Sequence, residues 1–291
     1  MSVLPYRLGC PLWANKAWVG EFFTRKAKTG DFLRQYSSVF STVEGNTTFY
    51  ALPSKDTVLR WKENATEDFR FCFKFPKVIS HQKKLVAAED DTALFFRVLG
   101  VLEEKLGPFF LQLSPHFGPD AFPSLLRYLD ALPKEFSYAV EVRHLAFFDR
   151  GEWEHRLNQE LAARGIDRVL FDARGVHSAE SADEAVVRAQ TRKPRLPYRE
   201  FVTAETPFVR YIAHPDMERN RNAWHRWAEV FATWIKEGKQ PLMFMHTPND
   251  FYAPGFAKVF HEILAEKLDL PVMPPWPSST EPPEPEQMSL F

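Results

Sequence analysis

Hydrophobic and polar positions alternate in eight short runs along this chain. They are YRLGC (6–10), VFSTVEGN (39–46), FRFCFKF (69–75), PFFLQL (108–113), SYAVEVRH (137–144), DRVLFDAR (167–174), FVRYIA (208–213) and PLMFMH (241–246). Each is rich in Val, Phe, Tyr or Leu and predicts a β-strand. Between most of them the apolar residues return at helical spacing instead. LVAAEDDTALFFRVLGVLEEKL, DAFPSLLRYLDAL, EWEHRLNQELAARG, NAWHRWAEVFATWIKEG and GFAKVFHEILAEKL all read as amphipathic helices. Ser54 opens a further helix-like segment, and Gly165 and Gly238 fall where helix C-caps are expected. Eight strands alternating with helices predict parallel pairing through right-handed crossovers. The expected fold is α/β: a single TIM-type (β/α)8 barrel, which takes about 250 residues. An open doubly wound sheet is the alternative, but no G-x-G-x-x-G follows the first strand. The barrel is expected to span residues 1–270. Residues 271–291 are expected to form a flexible, disordered, Pro-rich tail.

Composition narrows the classes. Hydrophobic residues make up 45% of the 291 and aromatic residues 15%, so a sizeable core is available. The formal net charge of -1 excludes a molecule that binds nucleic acid through its overall charge. Any anion site must come from local clustering. Two cysteines, Cys10 and Cys72, fit a reducing compartment rather than a disulfide scaffold. The N-terminus lacks a charged region followed by an apolar run, and no stretch of about 18 apolar residues occurs. A cytoplasmic protein without membrane contact is expected.

The polar residues worth attention sit at the ends of the runs. A TIM barrel builds its site at the C-terminal ends of its strands. That rule selects Glu44 and Asn46 on the second run, Lys74 on the third and Gln112 on the fourth. Glu141 and Arg143 follow on the fifth, Asp172 on the sixth, Arg210 on the seventh and His246 on the eighth. Alternation places Glu141 and Arg143 on the face of Ala139, opposite Val140 and Val142. Buried charges need partners, so inward charges on several strands imply either a structural ion-pair network or a ligand. Loops after the third, sixth and seventh runs add Lys77, His81, Lys83, Lys84, Arg188, Arg192, Lys193, Arg195, Arg199, Arg219 and Arg221. Gathered on one rim, these would hold an anion such as phosphate or a nucleic-acid backbone; left in solvent, they would be an ordinary charged surface.

Several segments also carry a resemblance. TVEGNTTFYALPS (42–54), FCFKFPKVISHQKKL (71–85), FFLQLSP (109–115), YAVEVRH (138–144), FVRYIAHP and MFMHTPNDFYAPGFA occur in an order that resembles the YecE-like family, a domain of unknown function. The resemblance covers roughly residues 5–266. It implies a TIM barrel and a site near Glu44, Asn46, Tyr50, Lys74, His81, Gln112, Glu141, Arg143, His144 and Arg210, and it brings no known reaction. Many relatives carry an Asn-Asn pair at the last strand, where this chain reads His246-Thr247-Pro248-Asn249-Asp250. Asn249 is placed with the ligand-binding candidates.

Glu44 and Glu141 are candidate acid–base partners, with Lys74 and His144 beside them as catalytic candidates. Lys74, Arg143 and Arg210 can clamp a phosphate or carboxylate. A metal drawn from His81, His144, His214, His246, Glu141 and Asp172 is disfavoured, because no tight ligand spacing occurs and nearby cations would repel a divalent ion. No metal or cofactor is expected. Cys10 reads as a small core residue rather than a nucleophile. The chemistry left open is hydrolase or phosphodiesterase-like, or lyase or isomerase. A non-catalytic binding or adaptor module is the alternative to an enzyme.

The chain closes on a separate signal. PVMPPWPSSTEPPEPEQMSLF holds seven prolines in 21 residues and favours an extended linker. Its last five residues resemble the pentapeptide that binds the bacterial sliding clamp, which suggests a role near replicating or repaired DNA. Gln287 would bond at the edge of a groove, while Met288, Leu290 and Phe291 would fill an apolar pocket.

Overall fold

In the computed structural model, which describes residues 4–281, every run read as a strand contains one. The strands are β1 (Arg7–Gly9), β2 (Thr42–Gly45), β3 (Arg70–Phe73), β4 (Phe109–Gln112), β5 (Tyr138–Glu141), β6 (Asp167–Arg168), β7 (Leu170–Asp172), β8 (Phe208–Ile212) and β9 (Leu242–His246). The sixth run is split, and Val169 stands between β6 and β7. The helices are α1 (Phe32–Ser37), α2 (Lys55–Asn64), α3 (Glu89–Leu99), α4 (Phe122–Ala131), α5 (Glu152–Ala163), α6 (Arg174–His177), α7 (Glu184–Arg192), α8 (Arg221–Lys236) and α9 (Ala253–Ala265). Ser54 caps α2, accepting from the Thr57 amide. Gly165 and Gly238 take positive φ after α5 and α8, a conformation that a Cβ disfavours. Three helices were not anticipated: α1, α6 and α7. The last two occupy a stretch whose pattern reads as a loop.

All strand pairs are parallel, so the chain has an α/β fold. Pairing runs β1-β9-β8-β7, β2-β3 and β4-β5-β6. Backbone bonds also join these groups. Glu44 donates to Cys10 O at 3.1 Å and Ser41 to Leu8 O at 3.2 Å. Gly107 donates to Phe71 O at 2.8 Å, Phe75 to Phe110 O at 3.1 Å and Val169 to Val140 O at 2.9 Å. At Gly9 a Cβ would lie 2.1 Å from Thr42 O, so only glycine lets β1 and β2 come this close.

Alternation sorts most strand side chains into two apolar bodies, while Phe171 and Ile212 join a small third one. Val43, Phe71, Leu111, Val140, Val209 and Met243 join the large cluster beneath the helices. Their neighbours in sequence, Cys72, Phe110, Ala139, Phe208, Leu242 and Phe244, point the other way and form a small inner cluster with Val169. The inner cluster fills the floor on which the polar residues at the strand ends rest.

The expected tail begins attached to the body. Trp276 packs edge-on to Phe22 at 5.0 Å, with Lys258 5.5 Å above its ring. Met273 is buried. Pro271 O accepts from His261 Nε2 at 2.9 Å, and the Ser278 amide donates to Phe22 O at 3.2 Å. The Trp276 ring packs against both Phe22 and Phe40, burying apolar surface within a stretch rich in proline. The pentapeptide residues Gln287, Met288, Leu290 and Phe291 lie outside the described residues.

Candidate functional site

Arg210 holds the centre of the site. It stands mid-strand on β8 between Val209 and Tyr211, which face the helices, so alternation turns its guanidinium onto the inner face. Its side chain is only 3% exposed. Nε and Nη2 each donate to a Glu44 oxygen at 2.7 Å, a bidentate pair, and Nη1 donates to Glu141 Oε2. Glu44 also accepts from Asn46 Nδ2 at 2.7 Å and from His246 Nε2 at 3.1 Å. Glu141 Oε1 accepts from Arg143 Nε at 2.6 Å and Gln112 Nε2 at 2.8 Å. Gln112 Oε1 in turn accepts from Lys74 Nζ at 2.6 Å. Six strands thus feed one buried polar network.

Lys74 is fixed by its backbone as well. Its amide donates to Gly45 O at 3.1 Å and its carbonyl accepts from Thr48 Oγ1 at 2.7 Å. Its ammonium sits 3.8 Å over the Phe49 ring, a cation–π contact.

Burial and charge set the protonation of these groups. Burial by itself would raise the Glu44 carboxyl, but Arg210 and then His246 hold it well below the usual range. Glu141 is likewise opposed by burial and brought down to about 2 by Arg210, Arg143 and Lys74. Both are therefore carboxylates. Burial, then Arg210, pushes Lys74 down to about 7. His81 falls to about 4 through burial and the charge of Lys74, and burial takes His246 to about 4.

Above the network opens a cavity of about 970 Å³. Nine predicted residues line it: Glu44, Asn46, Tyr50, Lys74, His81, Gln112, Arg143, Arg210 and His246. Glu141 lies fully buried beneath. Lys77, Arg188, Arg192 and Lys193 add cations at its wall. Lys77, Arg192 and Lys193 form no ion pair among the described residues. Arg188 and Arg192 arrive on α7 rather than on a loop.

Three predicted residues are not brought into the cavity. Asp172 on β7 points outward, where it accepts from Arg174 Nη2 at 2.8 Å and Trp227 Nε1 at 3.0 Å. The inward residue there is Phe171, whose ring lies 5.5 Å from the Arg210 guanidinium. His144 caps a turn, with Nδ1 accepting from the Ala146 amide at 3.2 Å. Exposed Asn249 caps another, accepting from the Phe251 amide at 3.1 Å. Of the other rim charges, Lys83 pairs with Asp91, Arg199 with Glu154, Arg219 with Asp216 and Arg221 with Glu218. Cys10 is buried, which pushes its thiol up and away from reactivity.

Sequence reasoning missed Trp13, Phe49 and Asp250, all at the cavity wall. Burial pushes the Asp250 carboxyl up to about 6. Its position one residue after Asn249, in the loop following a strand end, was the available signal. Among the described residues no group of three or more His, Cys, Asp or Glu is placed to hold a metal ion. Nor is any helix there long and apolar enough to cross a membrane.

Among the described residues, parallel strands, helices packed against them and polar groups converging at the strand ends define an α/β protein with a polar cavity at that end. The chain belongs to the family described as "Protein of unknown function DUF72", whose model matches residues 7–281. It is 40% identical to the UPF0759 protein YecE of Escherichia coli strain K12, over 98% of this chain and 99% of that one. It also resembles the crystal structure of a DUF72 family protein from Thermotoga maritima, with a TM-score of 0.69 and 22% identity, covering 89% of this chain and 98% of the other. A DUF72 family protein from Enterococcus faecalis V583 matches at a TM-score of 0.67 and 18% identity, over 93% and 98% of the two chains.

Proposed function

We propose that the chain is a closed (β/α)8 barrel whose strand-end cavity binds, and acts on, a small molecule carrying a phosphate or carboxylate. Closure is supported by the backbone bonds that join β1 to β2 and β3 to β4, and by the continuity of β6 with β7.

The observation that carries the ligand reading is an imbalance of charge. The two buried carboxylates are already matched by the guanidiniums of Arg210 and Arg143. Lys77, Arg192 and Lys193 nevertheless face the same cavity with no ion-pair partner among the described residues. Cations concentrated in a concave, partly apolar site raise the local concentration of anions. Half-buried Trp13 and Phe49 and exposed Tyr50 offer flat surfaces beside them. A concave cavity of about 970 Å³ matches the size of small-molecule sites and favours such a ligand over a nucleic-acid backbone.

The test is calorimetry of the full chain against pyrophosphate, sugar phosphates, nucleoside monophosphates and a short single-stranded oligonucleotide. Small phosphates should bind, and more weakly as salt rises. Arg192→Ala and Lys193→Ala should each cost about 1.5–3 kcal/mol, the scale of a hydrogen bond to a charged group. Absence of salt-sensitive binding across the panel overturns the reading, and tight binding of the oligonucleotide alone redirects it to nucleic acid. Recruitment to the sliding clamp by Gln287, Met288, Leu290 and Phe291 is a separate proposal resting on sequence alone.

A further inference from the structure

We propose that Lys74 is an imine-forming amine, and that the ligand of this cavity carries an aldehyde or ketone close to its anionic group. The inference rests on the anion reading above and adds a reaction to it. Its ground is the arrangement around Nζ.

Glu44 and Glu141 have two guanidiniums between them, so the ammonium of Lys74 is the surplus cation of the buried network. It accepts no carboxylate as a direct partner: its one hydrogen bond goes to the neutral amide oxygen of Gln112, at 2.6 Å. The ammonium also lies over the face of Phe49, at 3.8 Å. A lysine that is 8% exposed, beside two guanidiniums, is the group in such a cluster that most readily gives up its proton. The value of about 7 agrees with this placement. The same residue lines the cavity, so the amine faces the space where a ligand would lie. Desolvated lysines beside other cations are the form in which this side chain acts as a nucleophile.

The step balances without oxidant or reductant. The Nζ lone pair attacks the carbonyl carbon, a C–N bond forms as the C=O π bond breaks, and a proton passes from nitrogen to the oxygen to give a neutral carbinolamine. Nitrogen then expels that oxygen as water, leaving an imine that is protonated on nitrogen. Asp250, on the same cavity wall with its carboxyl raised to about 6, is a proton source for the departing hydroxyl. The anion of the ligand would rest against Arg192 and Lys193, and the positive charge of the imine would be received by Gln112 Oε1 and by Glu141 behind it.

The experiment uses pyridoxal 5′-phosphate, an aldehyde with a phosphate, as the probe. The full chain is treated with it, reduced with borohydride, digested and mapped by mass spectrometry. Lys74 should be modified at least tenfold faster than the other lysines, and pyrophosphate should protect it. Lys74→Arg should lose this modification; if that variant does not fold, the wild-type peptide map alone decides. Modification of Lys193 or of surface lysines ahead of Lys74 overturns the proposal. Binding of pyrophosphate with no modification at Lys74 also overturns it while leaving the anion reading intact. Equal labelling of Lys74 by pyridoxal, which has no phosphate, upholds the amine and removes the anion reading.

Discussion

Replacing Arg210 with Met should cost the fold about 3–5 kcal/mol at pH 7, the scale for breaking a buried ion pair from one side. Met keeps much of the length of Arg but leaves Glu44 and Glu141 fully buried without their shared partner. The Glu141 carboxyl gives a second scale. Against the pull of burial, Arg210, Arg143 and Lys74 together bring it to about 2 from an ordinary 4.5. At about 1.4 kcal/mol for each tenfold change in acidity constant, that gap is on the order of 3 kcal/mol. The sign fixes the pH window. A folded value below the unfolded one stabilises the wild type above about pH 4.5, and this stability is lost as pH falls toward 2. In the variant, burial is less opposed and the folded values rise. Its stability is then greatest below the unfolded value and falls as pH climbs through the raised ones. The deficit should therefore be largest at pH 7 and shrink by about pH 5. Urea unfolding at both pH values measures it, for wild type, Arg210→Met, and Arg210→Met combined with Glu44→Gln and Glu141→Gln. The triple variant should regain much of the loss, because no buried charge is left unmatched. A deficit under about 1 kcal/mol at pH 7, or one that does not change with pH, would refute the reasoning.

Two further predictions concern the C-terminal segment. A chain ending at Leu270 should be less stable than the full chain by roughly 1–3 kcal/mol, because it loses the packing of Trp276 and Met273, whereas one ending at Glu281 should melt with the full chain; equal melting of all three would mean that the Trp276 contact with Phe22 contributes nothing. Leu290→Ala with Phe291→Ala should abolish binding to purified sliding clamp, expected at roughly micromolar affinity and about 8 kcal/mol, without moving the melting temperature; unchanged binding in a titration would remove the proposal.

Local pattern determined the strand runs and six of the nine helices described. Strand alternation and helical spacing are properties of neighbouring residues, so all eight strand runs, the Ser54 cap and the left-handed glycines at 165 and 238 were legible in the chain. Alternation also sorted Glu141 and Arg143 from Val140 and Val142, and the structure keeps that division. The strand-end rule failed at Asp172, because alternation carries Val169 and Phe171 inward and so turns Leu170 and Asp172 outward. Arg174 and Trp227 satisfy the carboxylate outside.

Only the tertiary structure decided which polar groups meet. Glu44 and Arg210 are 166 positions apart, and nothing in either segment specifies the other. Their pairing follows from parallel strands brought side by side, and so do the guanidinium contacts that keep two carboxylates ionised against burial and the loss of water that lowers a lysine. The cavity wall was decided in the same way. Lys193 and Asp250 come from loops distant in sequence, and His144 and Asn249 were taken by turns whose backbone amides needed a cap. Patterning reads the secondary structure because it is set by which neighbours a residue has along the chain. The site is set by which neighbours it gains across the fold, where burial removes water and makes each charge depend on its partners.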